Sequence, residues 1–175
     1  MRKGRWLVLV AAAAMMSAVN TNGVAMAAEP ETLAISPRAP VALGAGPVTV
    51  MLAPPSGEAL SARAAAVAPD RKVYLVAKGL GTDVAPETIY QLYLGLPPGS
   101  APSPDSVYYV GALNFFNAVG RGSDPRFLSF DVTALLRSLR SQNALADNAT
   151  VTIVPAGPPR AGAKPVISVI SLVAQ

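Results

Sequence analysis

The sequence contains no cysteine and no histidine, and only 14% of its 175 residues are charged. Without cysteine there is no disulfide, no thiolate nucleophile, no iron–sulfur ligation and no cysteine-bound zinc. Without histidine there is no Ser–His–Asp triad, no imidazole acid–base catalyst and no imidazole metal site. Lysine is scarce as well. Only Lys72, Lys78 and Lys164 lie beyond the N-terminal segment, and none follows a serine at Ser-x-x-Lys spacing, which argues against a serine–lysine enzyme. What the chain has instead is apolar residues (51%), 17 prolines and 14 glycines. That is enough for one hydrophobic core in a single domain, and too apolar for a disordered chain.

Arg2, Lys3 and Arg5 precede the apolar run from Trp6 to Val19, and Ala25 and Ala27 stand as an A-x-A pair. The order is that of a secretory signal peptide cleaved near Ala27. The apolar run of about 14 residues is short of the ~20 that a membrane-spanning helix needs. A secreted or periplasmic protein with no stable membrane insertion after cleavage is therefore expected. Loss of residues 1–27 removes three basic residues and no acidic one, so the net charge falls from +4 to +1. A near-neutral chain gives no electrostatic footprint for nucleic acid. Of five methionines only Met51 remains, which excludes a methionine-rich copper(I) site. Arginine outnumbers lysine ten to four, a composition typical of a GC-rich bacterial genome.

Residues 28–46 carry Pro30, Pro37 and Pro40 among alanines and glycines and read as a flexible lead-in, with the domain running over 47–175. Val48–Leu52 reads as a first strand, and residues 56–70 fit either a short helix or a loop. From Lys72 onward, short β-branched and aromatic runs alternate with Gly/Pro turns: 72–78, 88–94, 106–110 with 112–116, 126–130, 150–154 and 166–173. About seven strands of this kind predict an all-β antiparallel sandwich, jelly-roll-like, with one short helix. That helix follows Asp131, whose carboxylate is placed to accept first-turn N–H groups, with Thr133 as the competing cap. Leu135, Leu136 and Leu139 share its inward face. In 150–154 and 166–173 apolar positions alternate with Thr152 and Ser168, predicting one face in the core and one near water. The run after Ile167 is almost wholly apolar, as in a central or covered strand.

The order of these runs resembles the C-terminal domain of the tyrosinase and polyphenol oxidase family over about residues 72–174. The likeness is carried by Val73-Tyr-Leu, Tyr90-Gln-Leu-Tyr-Leu-Gly-Leu-Pro97, Tyr109-Val-Gly-Ala-Leu-Asn-Phe-Phe116, Phe130-Asp-Val-Thr-Ala-Leu-Leu136 and Val151-Thr-Ile-Val-Pro155. The resemblance implies a jelly-roll-like sandwich with no catalytic residues of its own. In the family it packs on a helical domain whose six histidines hold two coppers, and it can cover that site until activation. These 175 residues hold neither that helical domain nor a histidine, so the oxidase activity does not transfer. No cofactor and no metal site are expected.

The acids Asp83, Glu87, Asp105, Asp124 and Asp131 fall mostly in loops, where solvated side chains are the expected reading rather than a glycosidase pair. Gly120-Arg-Gly-Ser-Asp-Pro125 lacks the lysine and strand-to-helix setting of a phosphate loop and reads as a tight turn. Asn148-Ala149-Thr150 is a glycosylation sequon, relevant only in a host that modifies such sites. Among Tyr74, Tyr90, Tyr93, Tyr108, Tyr109, Phe115 and Phe116, most are expected in the core. Neighbours along a strand face opposite ways, so Tyr108, Tyr109, Phe115 and Phe116 are the candidate partner-contact aromatics. The function expected is a secreted, non-catalytic module that binds or shields a partner protein, a separately encoded tyrosinase-like enzyme or another envelope protein. The alternative is a carbohydrate- or envelope-binding sandwich.

Overall fold

The computed structural model describes residues 29–116, 118, 119 and 126–175. The signal-like segment, the 120–125 turn and Asp124 lie outside the described residues. In chain order the elements are β1 (Glu31–Ile35), β2 (Val41–Ala42), β3 (Val48–Leu52), α1 (Leu60–Ala66), β4 (Val73–Gly81), β5 (Tyr90–Leu94), β6 (Tyr109–Leu113), β7 (Phe127–Asp131), α2 (Thr133–Ser141), β8 (Ala149–Pro155) and β9 (Val166–Ala174).

The strands form two antiparallel sheets. One runs β1–β9–β4–β7, with β2 also on β9, and the other runs β3–β8–β5–β6. The fold is an all-β sandwich. The apolar β9 has β4 along one edge and β1 and β2 along the other, so its backbone is paired from both sides, while Ser168 on its outer face stays exposed. Ile167, Ile170, Leu172 and Ala174 are all buried. They meet Leu75 and Ala77 of the same sheet and Leu92, Leu94, Val151 and Ile153 of the facing one in one continuous core. Large aliphatic side chains on two inner faces fill the roughly 10 Å between packed sheets.

The lead-in departs from expectation. Residues 28–46 were expected to be flexible, yet 31–35 and 41–42 pair with β9 in register from Glu31↔Ala174 to Ala42↔Val166. Their prolines (Pro37, Pro40) fall between the two strands, where no ladder N–H is needed. Leu33 and Ala34 are fully buried, and the segment is pinned from outside. Glu31 takes Arg63 Nη2 at 2.8 Å and Arg71 Nη1 at 3.4 Å, while Arg71 Nη2 donates to the Glu29 and Ala174 carbonyls at 2.8 and 2.7 Å. The strand count is therefore nine among the described residues, and Val48–Leu52 is the third strand in sequence. Residues 60–66 form a helix, α1, which resolves the helix-or-loop ambiguity over 56–70.

Two local readings are corrected. The runs 106–110 and 112–116 are one strand, β6, because Ser106–Tyr108 turn and the chain leaves the sheet after Leu113. Thr152 was expected near water but is buried. It lies on the outer face of its sheet between Tyr93 and Thr49 in the cross-strand register, its hydroxyl 3.3 Å from that of Thr49, and neighbouring side chains cover it. The helix start follows the sequence reading. Asp131 Oδ1 accepts the Thr133 N–H at 3.0 Å and the Thr133 hydroxyl at 2.6 Å, and Leu136 and Leu139 point inward.

Candidate partner-contact surface

At one end of the sandwich the exits of β4, β6 and β8 converge, and three loops are cross-linked there. The Thr82 hydroxyl sits 2.6 Å from the carbonyl oxygens of both Val84 and Ala163 and donates to one at a time. Asp83 N donates to Ala163 O at 2.8 Å and Arg160 N to Pro86 O at 2.8 Å. Two ion pairs span the same loops, Arg160–Glu87 at 2.8 Å and Lys164–Asp83 at 3.3 Å. Exposed pairs such as these contribute little stability, but each acid is neutralised by its own cation.

The β6 exit decides what this end presents. Asn114 Oδ1 accepts the Phe116 N–H at 3.2 Å, an Asx-type turn that bends the chain sharply between two aromatics. Phe115 swings inward and is 2% exposed, its ring edge-on to Tyr90 at 5.7 Å and 77°. Phe116 swings outward and is 77% exposed. It borders an open groove of about 550 Å³ whose walls are residues 85–89, Asn114, Phe115, Ala156 and Gly157. Ile89 lies in the groove wall and is 43% exposed, and Val119, bridged to Thr82, adds a further exposed apolar side chain at this end. This end therefore presents an exposed aromatic beside a mostly apolar groove.

The four aromatics picked from the sequence do not form one surface. Phe115 is the inward member of its pair, part of the core and of the groove wall. Tyr108 just precedes β6 and Tyr109 opens it, both half-buried and on the order of 14 Å of strand from its exit. Tyr109 packs on buried Tyr93 at 5.6 Å and 59°, and the Tyr93 hydroxyl donates to Gln91 Oε1 at 2.7 Å. Only Phe116 of the four stands clear of the protein. Sequence reading missed Ile89, Val84, Val119 and Phe127, all exposed. Ile89 was detectable in principle, since it is out of phase with the inward Tyr90. Nothing local marked the others.

The acids are dispersed. Asp83 and Glu87 each hold a separate cation, Asp105 sits in a turn, and Asp131 is committed to the helix start. Hydrogen bonds from the Thr133 hydroxyl and N–H, with Lys72 Nζ 3.2 Å away, hold the Asp131 carboxyl below its ordinary value. The same contact with Asp131 raises Lys72. Among the described residues no three carboxylates converge as metal ligands would. Burial raises the Tyr90 hydroxyl, which has no hydrogen-bond partner among the described residues.

No family model matches the sequence, and no curated protein matches it either. Solved structures do. Latent aurone synthase (polyphenol oxidase), recombinantly expressed, is similar at 20% identity and a TM-score of 0.49, over 77% of this chain and 25% of that one. Latent apple tyrosinase is similar at 21% identity and a TM-score of 0.47, over 76% of this chain and 27% of that one. The chain thus spans about a quarter of the length of the polyphenol oxidases to which it is similar.

Proposed function

We propose that this chain is a secreted or periplasmic, non-catalytic β-sandwich module that binds or shields a partner protein through the loop end bearing Phe116. The observation that carries the reading is the outward placement of Phe116, 77% exposed beside the mostly apolar groove of residues 85–89. A large side chain held out of the core by an Asx turn costs apolar exposure, and burial against a partner recovers it. The sequence resemblance supplies the partner class, a separately encoded tyrosinase-like copper oxidase, and it is the exposure of Phe116 that makes it the anchor proposed here.

The experiment combines the purified chain with a tyrosinase-like enzyme from the same organism. A stable complex on gel filtration and reduced phenol oxidation are the expected results. Co-elution of neither, with oxidation unchanged, overturns this partner. Phe116 lies beside polar Asn114 and Thr88, an arrangement that also suits a sugar ring. Hits on a glycan array that disappear in Phe116→Ser would replace the protein partner with a carbohydrate.

A further inference from the structure

The opposite end of the sandwich carries a second groove of different chemistry. It has a volume of about 560 Å³ and lies between the end of α1 with the connection that follows it (residues 65–69) and the last turns of α2, where Arg137, Arg140 and Ser141 form its wall. Val73 pairs with Ala174 at this end and Gly81 with Val166 at the Phe116 end, so the two grooves lie about 25 Å apart along the strands.

Arginines in a last helical turn ordinarily cap carbonyls or answer the helix dipole. Here the carbonyls are already taken. Gln142 N donates to Ser138 O, Asn143 N to Arg140 O and Ala144 N to Leu139 O, at 3.1, 3.0 and 2.8 Å, with Asn143 in the left-handed region that closes a helix. Arg137 is steadied by one bond, from Nη2 to Pro69 O at 2.8 Å. Arg140 makes no hydrogen bond or ion pair among the described residues. No acidic side chain lines the groove, Asp70 included. Three positions apart on one helix, the two guanidinium groups share a face, and beneath them lie Ala65, Ala66, Val67, Ala68 and Pro69.

We propose that this groove takes an acidic peptide segment of a partner protein, its carboxylates on Arg137 and Arg140 and its small apolar side chains on the Ala65–Pro69 floor. Guanidinium forks match carboxylates in two parallel hydrogen bonds, and a shallow apolar floor suits an extended segment rather than a small ion. The proposal does not depend on the Phe116 reading, because the surfaces are at different ends.

The test uses the full chain and a fluorescein-labelled peptide of alternating glutamate and alanine, with a glutamine–alanine peptide as control. Anisotropy at low salt should show binding of the first and not the second, lost in high salt as the charges are screened. Because Arg140 has no partner within the described residues, Arg140→Gln should keep the wild-type melting curve while weakening binding about fivefold, and the double change with Arg137→Gln about tenfold or more. Phe116→Ser should bind the peptide as wild type does. Equal binding of both peptides, or undiminished binding by Arg140→Gln, overturns the proposal. So does Arg140-dependent binding to phosphatidylglycerol vesicles without binding to the peptide.

Discussion

Gly79 of β4 and Ser168 of β9 face each other across the central ladder with no room for a second side chain between them. A Cβ built on Gly79 would lie 2.6 Å from Ser168 Cβ, and Gly79 has φ +68°. The Ser168 hydroxyl uses the space to donate to Gly79 O at 3.2 Å. This is where β4 changes which residues face the core: Val73, Leu75 and Ala77 are buried before it, and Leu80 after it. In β9 the change is matched by Ile167 and Ile170, both buried on either side of Ser168. Gly79→Ala should therefore destabilise by about 2–4 kcal/mol, from backbone strain and overpacking together. Adding Ser168→Gly should return the steric part and leave the backbone part, a coupling that urea melts of the double-mutant cycle will measure.

Asp131 predicts a pH dependence. The Thr133 hydrogen bonds, and secondarily Lys72, depress its folded carboxyl below the ordinary 3.8. Below that value the unfolded chain binds the proton more readily than the folded one, so the contribution is complete above pH ~4 and disappears as pH falls through the folded value. Asp131→Asn should lower the urea midpoint at pH 7, and the gap to wild type should narrow by pH 3. A gap of equal size at both values contradicts the cause assigned here.

Tyr90 is buried with a hydroxyl that has no partner among the described residues, and a buried donor without a partner carries its full desolvation penalty. Tyr90→Phe removes the oxygen and keeps the edge-on contact with Phe115. Its unfolding free energy should be unchanged or higher by up to ~1 kcal/mol. A loss larger than ~1 kcal/mol would mean that the hydroxyl has a bound water as partner.

The N-terminal strand is part of the core. Leu33→Ala removes a fully buried side chain and should cost about 2–5 kcal/mol. Hydrogen exchange should protect the amides of 32–35 that bond to β9 as well as those of β9 itself. Fast exchange there would restore the flexible reading of this segment.

The sandwich was legible because β8 and β9 announce themselves: seven to nine residues dense in Val and Ile, bounded by Pro and Gly. The helix start at Asp131 was legible for the same local reason. β1 was not, because Glu31-Thr-Leu-Ala-Ile35 is short and set among prolines, and its stability comes from β9, more than 130 residues away in sequence. For the site, alternation showed that one of Phe115 and Phe116 would turn outward but not which. The direction depends on the Asn114 turn and on Tyr90, a partner supplied by β5. Ile89, Val119 and the Arg140 groove owe their setting to loop packing that no local pattern encodes.

Phe116 tests the central claim most directly. It is largely exposed in the free protein, so Phe116→Ser should shift stability by no more than ~0.5 kcal/mol. Titrated by calorimetry against a tyrosinase-like oxidase that binds the wild-type chain, the variant should bind at least about thirtyfold more weakly, the loss expected for an aromatic anchor worth ~2 kcal/mol or more. Wild-type affinity in a folded Phe116→Ser variant would contradict the assignment of this end of the sandwich as the partner surface.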